Sequence, residues 1–295
     1  MQHLQRRLHY CFQAWGACRH AAVARALPGV LADAHRAAET GPAGAVVLSR
    51  AYQLTASLLF KYGAQTRTPA VLAADRALAA AEQSGDPVAI GSAARRVARG
   101  LMHQQRHTAA TEYALTTVAA LRPDLESGGT AGLSTLGMLH LVAAVGATGG
   151  GRSPQSVTTA TEQLTAAGEI ATRQGSHDIG LTFFGDANVA LHEVDVLLRL
   201  DDAWSALESA ESITPGAVAA LSRERQARHL VTTARAKALT RRRDGAVRDL
   251  LTAEELAPEE VRRPSVVGLV ASLMELVPSP GQQLTGLASR CGLPA

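Results

Sequence analysis

The sequence predicts an all-α fold, a right-handed α-solenoid of antiparallel, tetratricopeptide-like helix pairs, and three observations predict it. The 295-residue chain is 46% hydrophobic but only 3% aromatic, so its core must be built from Ala, Leu and Val, the side chains of closely packed helices. Strand signals are nearly absent, with no sustained alternation, few β-branched runs and no Asn-Gly turn between apolar segments. A second-helix pattern also recurs at roughly forty-residue intervals, close to the ~34–47 residues of helical repeats.

Taken in order, the helical period first marks roughly 2–15 and 17–38, a pair within 1–40 expected to cap the array. Its start, "QHLQRRLHY", is basic and amphipathic; Cys11 and Cys18 share a face with Leu4 and Leu8 nearby, and Tyr10 and Trp15 are expected to cover the first repeat's open end. First members of later pairs fall at roughly 44–62, 87–103, 130–147, 184–200 and 218–240, and second members at roughly 68–84, 106–122, 155–174, 202–213 and 243–257. The repeating pattern is carried by "YGAQTRTPAVLAADRALAAAEQSGDP", "QQRHTAATEYALTTVAALRP", "RLDDAWSALESAESITP" and "RRRDGAVRDLLTAEELAP". Each has a polar turn, small residues that let antiparallel helices approach, and a Pro that stops the helix. Helices at roughly 264–277 and 281–290 form a C-terminal cap within 264–295. Connections are short and punctuated by "SGDP", "RP", "TPG" and "APEE", except at 146–156, where the three consecutive glycines of "GATGGGRSPQS" predict a flexible loop. A single solenoid domain over 1–295 follows.

A formal charge of +3 and a pI near 9.0 fall short of the clustered excess of a phosphate-backbone binder, and no direct sequence-specific DNA binding is expected. Cys11, Cys18 and Cys291 cannot all pair within one chain, and Cys11 and Cys18 lie two helical turns apart, which predicts reduced thiols and a cytoplasmic setting. No stretch reads as apolar and uncharged over the ~18 residues of a membrane span, so no membrane association is expected. There is no "GxxxxGK[ST]" and no "GxGxxG" after a strand, and no cofactor is expected. "HEVD" lacks the second histidine of a zinc protease, and His103 and His107 of "HQQRH" sit on an inter-helix turn, so no metal site is expected either.

The candidate site comes from polar stripes on otherwise apolar first helices. In "FFGDANVALHEVDVLLRL" (Phe183 to Leu200), Asn188, His192, Asp195 and Arg199 fall at steps of four, three and four on one face. A helix flanked by neighbouring repeats and backed by its own partner would keep only such an edge free, on the concave side. Corresponding lines are Arg50, Gln53, Ser57 and Lys61; Ser92, Arg95 or Arg96, Arg99 and His103; and Arg225, Arg228 or His229, Thr232 and Arg235. The helix "TAGLSTLGMLHLVAAVG" offers Thr130, Ser134 and, at Gly137, a gap for a ligand or a neighbouring backbone. The expected ligand-binding residues are Arg50, Gln53, Ser57, Arg96, Arg99, Ser134, Phe184, Asn188, His192, Arg225, Arg228 and Thr232. An Arg-rich concave groove suits a peptide or small acidic ligand, because Arg forks onto carboxylates and Asn both donates and accepts. Two other readings stand beside it. The stripes are solvated edges, with Arg paired to Asp75, Glu82 or Asp86; or the groove is catalytic, with His192 as general acid or base oriented by Asp195.

"GLTFFGDANVALHEVDVLLRLDD", "AADRALAAAEQSGDP", "SAARRVARGLMH" and "LTAEELAPEEVRRPSVV" resemble the tetratricopeptide-like C-terminal domain of bacterial helix-turn-helix regulators of the XRE-like class, over about Ala21 to Ser289. The most specific piece is Phe184-Gly185 followed by Asn188, Val189 and His192; the chain departs at Asp186, where the family favours Pro. The resemblance implies a regulatory domain that senses a signal and dimerises, so a homodimer is a further expectation. "MQHLQRRLHYCFQAWGACRH" is too short for the helix-turn-helix domain that precedes the family's solenoid, which implies a sensor domain without its DNA-binding part.

Overall fold

A computed structural model describes residues 1–175, 183–277 and 279–294. Every regular element among them is helical. The chain runs as successive antiparallel pairs: α1 (Gln2–Gly16) with α2 (His20–Ala38), α3 (Pro42–Leu59) with α4 (Arg67–Ser84), α5 (Pro87–His103) with α6 (His107–Ser127), and α7 (Gly129–Ala147) with α8 (Pro154–Gln174). It continues with α9 (Asp186–Arg199) and α10 (Ala203–Ser212), the short α11 (Pro215–Ala219), then α12 (Arg223–Leu239) with α13 (Arg243–Leu256). One turn, α14 (Pro258–Val261), leads to α15 (Pro264–Leu276) and α16 (Gln282–Arg290). The first three residues of the resembling motif "GLTFFG", 180–182, lie outside the described residues.

One backbone device builds these pairs. The turn of each of the six pairs from α1/α2 to α12/α13 carries one residue in the left-handed region: Cys18 (φ 56°), Gly63 (81°), Gln105 (62°), Gly151 (82°), Asp201 (59°) and Arg241 (63°). In the four turns built on a non-glycine residue, the next amide reaches back to the helix it has left: Arg19 to Ala14, Arg106 to Leu101, Asp202 to Leu197 and Arg242 to Lys237, at 2.8–3.0 Å. These bonds satisfy carbonyls that a helix end would otherwise leave bare and turn the chain back on itself.

Small residues then set the spacing. Helix α4 buries Ala70, Ala73, Ala74, Ala77, Ala80 and Ala81, which lets α3 and α5 pack closely on it. First helices also touch in sequence, α1 to α3, α3 to α5, α5 to α7, α7 to α9, α9 to α12 and α12 to α15, and so form one inner wall with the second helices outside. That wall closes on itself. Helix α1 touches α12, Cys18 packs with Ala227 and Ala257, and the Ala21 amide donates to Glu259 at 2.9 Å. The N-terminal pair therefore bridges to the C-terminal pairs, where an open-end cap was expected; Tyr10 is half exposed and Trp15 turns inward.

Other local expectations shift for physical reasons. Helix α6 runs through Pro123 to Ser127 because fully buried Leu125 anchors its last turn beside Gly132 of α7. The segment 146–156 forms the end of α7, a single 3-10 turn over Thr148–Gly150, and the start of α8, whose Ser153 and Ser156 make a reciprocal capping box. Two helical stretches, Pro42–Tyr62 and Gly129–Gly150, are long and apolar enough to cross a membrane by length and composition, contrary to the expectation from the sequence. They are core helices here, 67% and 72% buried inside the fold.

Candidate functional site

The inner wall encloses a cavity of about 730 Å³. Helix α5 contributes Arg95, Arg96, Arg99 and His103; α12 contributes Arg223, Arg225, Arg228, Thr232 and Arg235; α9 contributes His192 and Arg199. The end of α3 and the turn after it supply Ser57, Phe60 and Lys61, α1 supplies Phe12 and Trp15, and the α14–α15 corner supplies Glu260 and Arg263. Among the described residues, ten basic side chains and two carboxylates, Glu224 and Glu260, line this space.

The two carboxylates are committed to one corner. Lys61 Nζ donates to Glu224 Oε1 at 2.8 Å and to Glu260 Oε2 at 2.6 Å, and lies 4.7 Å from the centre of the Trp15 ring. Arg263 bonds the other Glu260 oxygen, and Arg228 and Arg225 approach Glu224 at 3.8 and 3.9 Å. Burial alone would raise both carboxyls; the Lys61 charge, with Arg228 and Arg225 at Glu224 and Arg263 at Glu260, instead holds Glu224 well below and Glu260 below the ordinary range. Cys18, His20 and Glu260 bring ligand-type atoms within 4.8 Å of one another, but both Glu260 oxygens already accept from cations. Burial, and then the Glu260 and Glu224 charges, push the Cys18 thiol up to about 12.

The arginines of α5 have no such pairing. Arg95, Arg96 and Arg99 make no hydrogen bond or ion pair with any described residue, and Arg96 Nε is buried without a partner. Arg95 is only 8% exposed, while Arg96 and Arg99 are half-buried and line the cavity. Burial, followed by the neighbouring guanidinium charges, lowers all three: Arg96 to about 10, Arg99 to about 9, and Arg95 well below the usual value. Burial and the Arg99 charge hold His103 at about 4; burial and the Arg225 charge hold His192 at about 3. The His192 Nδ1 donates to the Asn188 carbonyl at 2.8 Å, so neutral His192 presents Nε2 as an acceptor. Asp195 pairs with Arg199 at 2.8 Å.

Of the twelve expected ligand-binding residues, the structure gathers Ser57, Arg96, Arg99, His192, Arg225, Arg228 and Thr232 around the cavity. The other five lie elsewhere, each for a packing reason. Arg50 lies over the Phe12 ring at 5.3 Å and faces a separate groove; Gln53 is buried and donates to Ser49; Ser134 is buried and donates to Gln174. Asn188 is fully buried, its amide on Met138 Sδ at 3.4 Å, and Phe184 is a core residue whose ring fills the gap left by Gly137. His103 ends α5 and stacks on Phe60, while His107 opens α6 and packs on Gly149, so the two histidines go to different neighbours.

Pattern reading omitted Glu224, Glu260 and Arg263 and left Arg95 as an alternative to Arg96. Lys61 and its two carboxylates are 163 and 199 residues apart, so no local spacing marks them. Arg95 was legible, since it lies four residues before Arg99 on the same helix. No protein-family model matches the chain, and no curated protein matches it.

Proposed function

We propose that this protein is a regulatory binding module that holds an acidic ligand, a small molecule or a peptide end, in the arginine-lined cavity. One observation carries the reading: Arg95, Arg96 and Arg99 line the same cavity as Arg225 and Arg228 and make no hydrogen bond or ion pair with any described residue. Buried like charges are costly unless a counter-charge arrives, and an anion with several oxygens supplies both charge and acceptors. The serial helix pairs and the inner wall of first helices support a right-handed, tetratricopeptide-like solenoid. The residues Asn188, Val189 and His192 support kinship with the sensor domains of XRE-like regulators, working in the cytoplasm without direct DNA binding. Catalysis at His192 is the weaker reading, because a base whose conjugate acid sits at about 3 has little driving force for proton abstraction at neutral pH.

Thermal melting in the presence of citrate, inorganic tripolyphosphate and a hexaglutamate peptide tests the reading. At least one of these anions is expected to raise the melting temperature of the wild type, and Arg99→Gln is expected to lose most of that rise. No response to any anion, or an undiminished response in Arg99→Gln, would overturn it.

A further inference from the structure

From the charge density of the cavity we infer that its ligand is a compact polyphosphate, a molecule carrying several adjoining phosphate groups. This inference rests on the acidic-ligand reading above and names the chemical class.

The argument compares charge with space. Among the described residues, ten basic side chains and two carboxylates line the space, and nearby Asp195 is paired with Arg199; with Arg225 set aside, six positive charges remain in excess. The volume, about 730 Å³, is that of a pocket for a small molecule. A carboxylate brings one charge, whereas a phosphate group brings about −1.5 to −2 and three acceptor oxygens. Offsetting the excess with carboxylates therefore needs about twice as many groups in the same volume. Guanidinium groups from α5 and α12 line the same space, near enough for their charges to act on one another, so one tetrahedral group there can accept from both helices. The partnerless Nε of Arg96 is a buried donor in that wall awaiting an acceptor oxygen.

The same geometry explains the neutral histidines. His103 and His192 sit among these guanidiniums, and burial and repulsion keep them uncharged, so the site's affinity comes from arginines that stay protonated across the physiological range.

Calorimetric titration of the full chain at constant ionic strength would compare inorganic tripolyphosphate, ATP without added metal, citrate and hexaglutamate. Tripolyphosphate and ATP are expected to bind tighter than citrate and hexaglutamate by about tenfold or more. Equal affinity for the first two identifies a free phosphate chain as the recognised part, and tighter ATP identifies a nucleotide; both support the inference. Arg96→Gln and Arg99→Gln should each abolish most tripolyphosphate binding while raising the melting temperature of the unliganded protein, because each relieves repulsion among buried guanidiniums. A merely structural arginine would lower it. Citrate or hexaglutamate binding more tightly than tripolyphosphate would overturn the polyphosphate assignment and leave the acidic-ligand reading intact. Binding of none of the four would overturn both.

Discussion

A single hydrogen atom decides the packing at Gly137. A Cβ there would lie 1.9 Å from the Phe184 ring, which is 1% exposed and has nowhere to retreat. Gly137→Ala is therefore expected to destabilise the fold by about 1–3 kcal/mol in chemical denaturation, and Phe184→Leu in the same chain should recover part of that loss. His192 makes a second prediction at this scale. Its folded value is about 3 against an ordinary 6.5, so below pH 6.5 the unfolded chain takes up a proton that the folded chain refuses. The stability linked to neutral His192 is thus complete above pH 6.5 and is lost as the pH falls toward 3. Melting curves of His192→Asn between pH 7 and 5 should decline less steeply than those of the wild type. An identical slope would mean that His192 titrates normally.

At the scale of the element, the joint among the α3 end, α12 and α14 is held by charge. Lys61, Glu224 and Glu260 are at most 7% exposed, and removing the shared ammonium leaves two carboxylates buried together. Lys61→Met is expected to cost about 3–5 kcal/mol near neutral pH. The pH dependence should then reverse. In the wild type the folded carboxyls lie below their ordinary 4.5, so the stability they contribute is present above that pH and lost as pH falls below it. In Lys61→Met the two carboxylates lose their shared and largest opposing charge and keep only the flanking arginines, so they bind protons more readily and mild acid should narrow the gap to wild type; a constant gap from pH 7 to 4.5 would refute this. The helices themselves were largely legible, because 3.6-residue periodicity and terminal prolines act within one element. Helix α14 was not: "APEE" reads as punctuation, yet its Glu260 reaches the cavity only because α14 docks against α12.

For the whole molecule, closure is the feature with consequences. In an open array of helix pairs the terminal pair packs on one side only and opens first. Here α1 and α2 also meet the C-terminal pairs through Cys18 and Ala21, and Trp15 of α1 lies against Lys61, which is paired with Glu224 and Glu260. Amide exchange should therefore find the first turns of α2 protected to about the same degree as α12, and Lys61→Met should lower protection in α2 and α14 together. Fast exchange in α2 of the wild type would show that the ring opens readily.

The sequence by itself determined the helical class, the near-forty-residue spacing and the inner-face arginines of α5 and α12, because each follows from periodicity within a helix or from composition. Only the tertiary structure decided which stripes share a space. Arg50, Ser134 and Asn188 sit on stripes of the same spacing as those of Arg99 and Arg228, yet Arg50 faces a separate groove, Ser134 and Asn188 are buried against neighbouring helices, and Arg99 and Arg228 line the cavity. Periodicity records the face of a helix that differs from the rest; whether that face meets a cavity or another helix depends on residues more than a hundred positions away, and on the closure that brings Lys61 to Glu224 and Glu260.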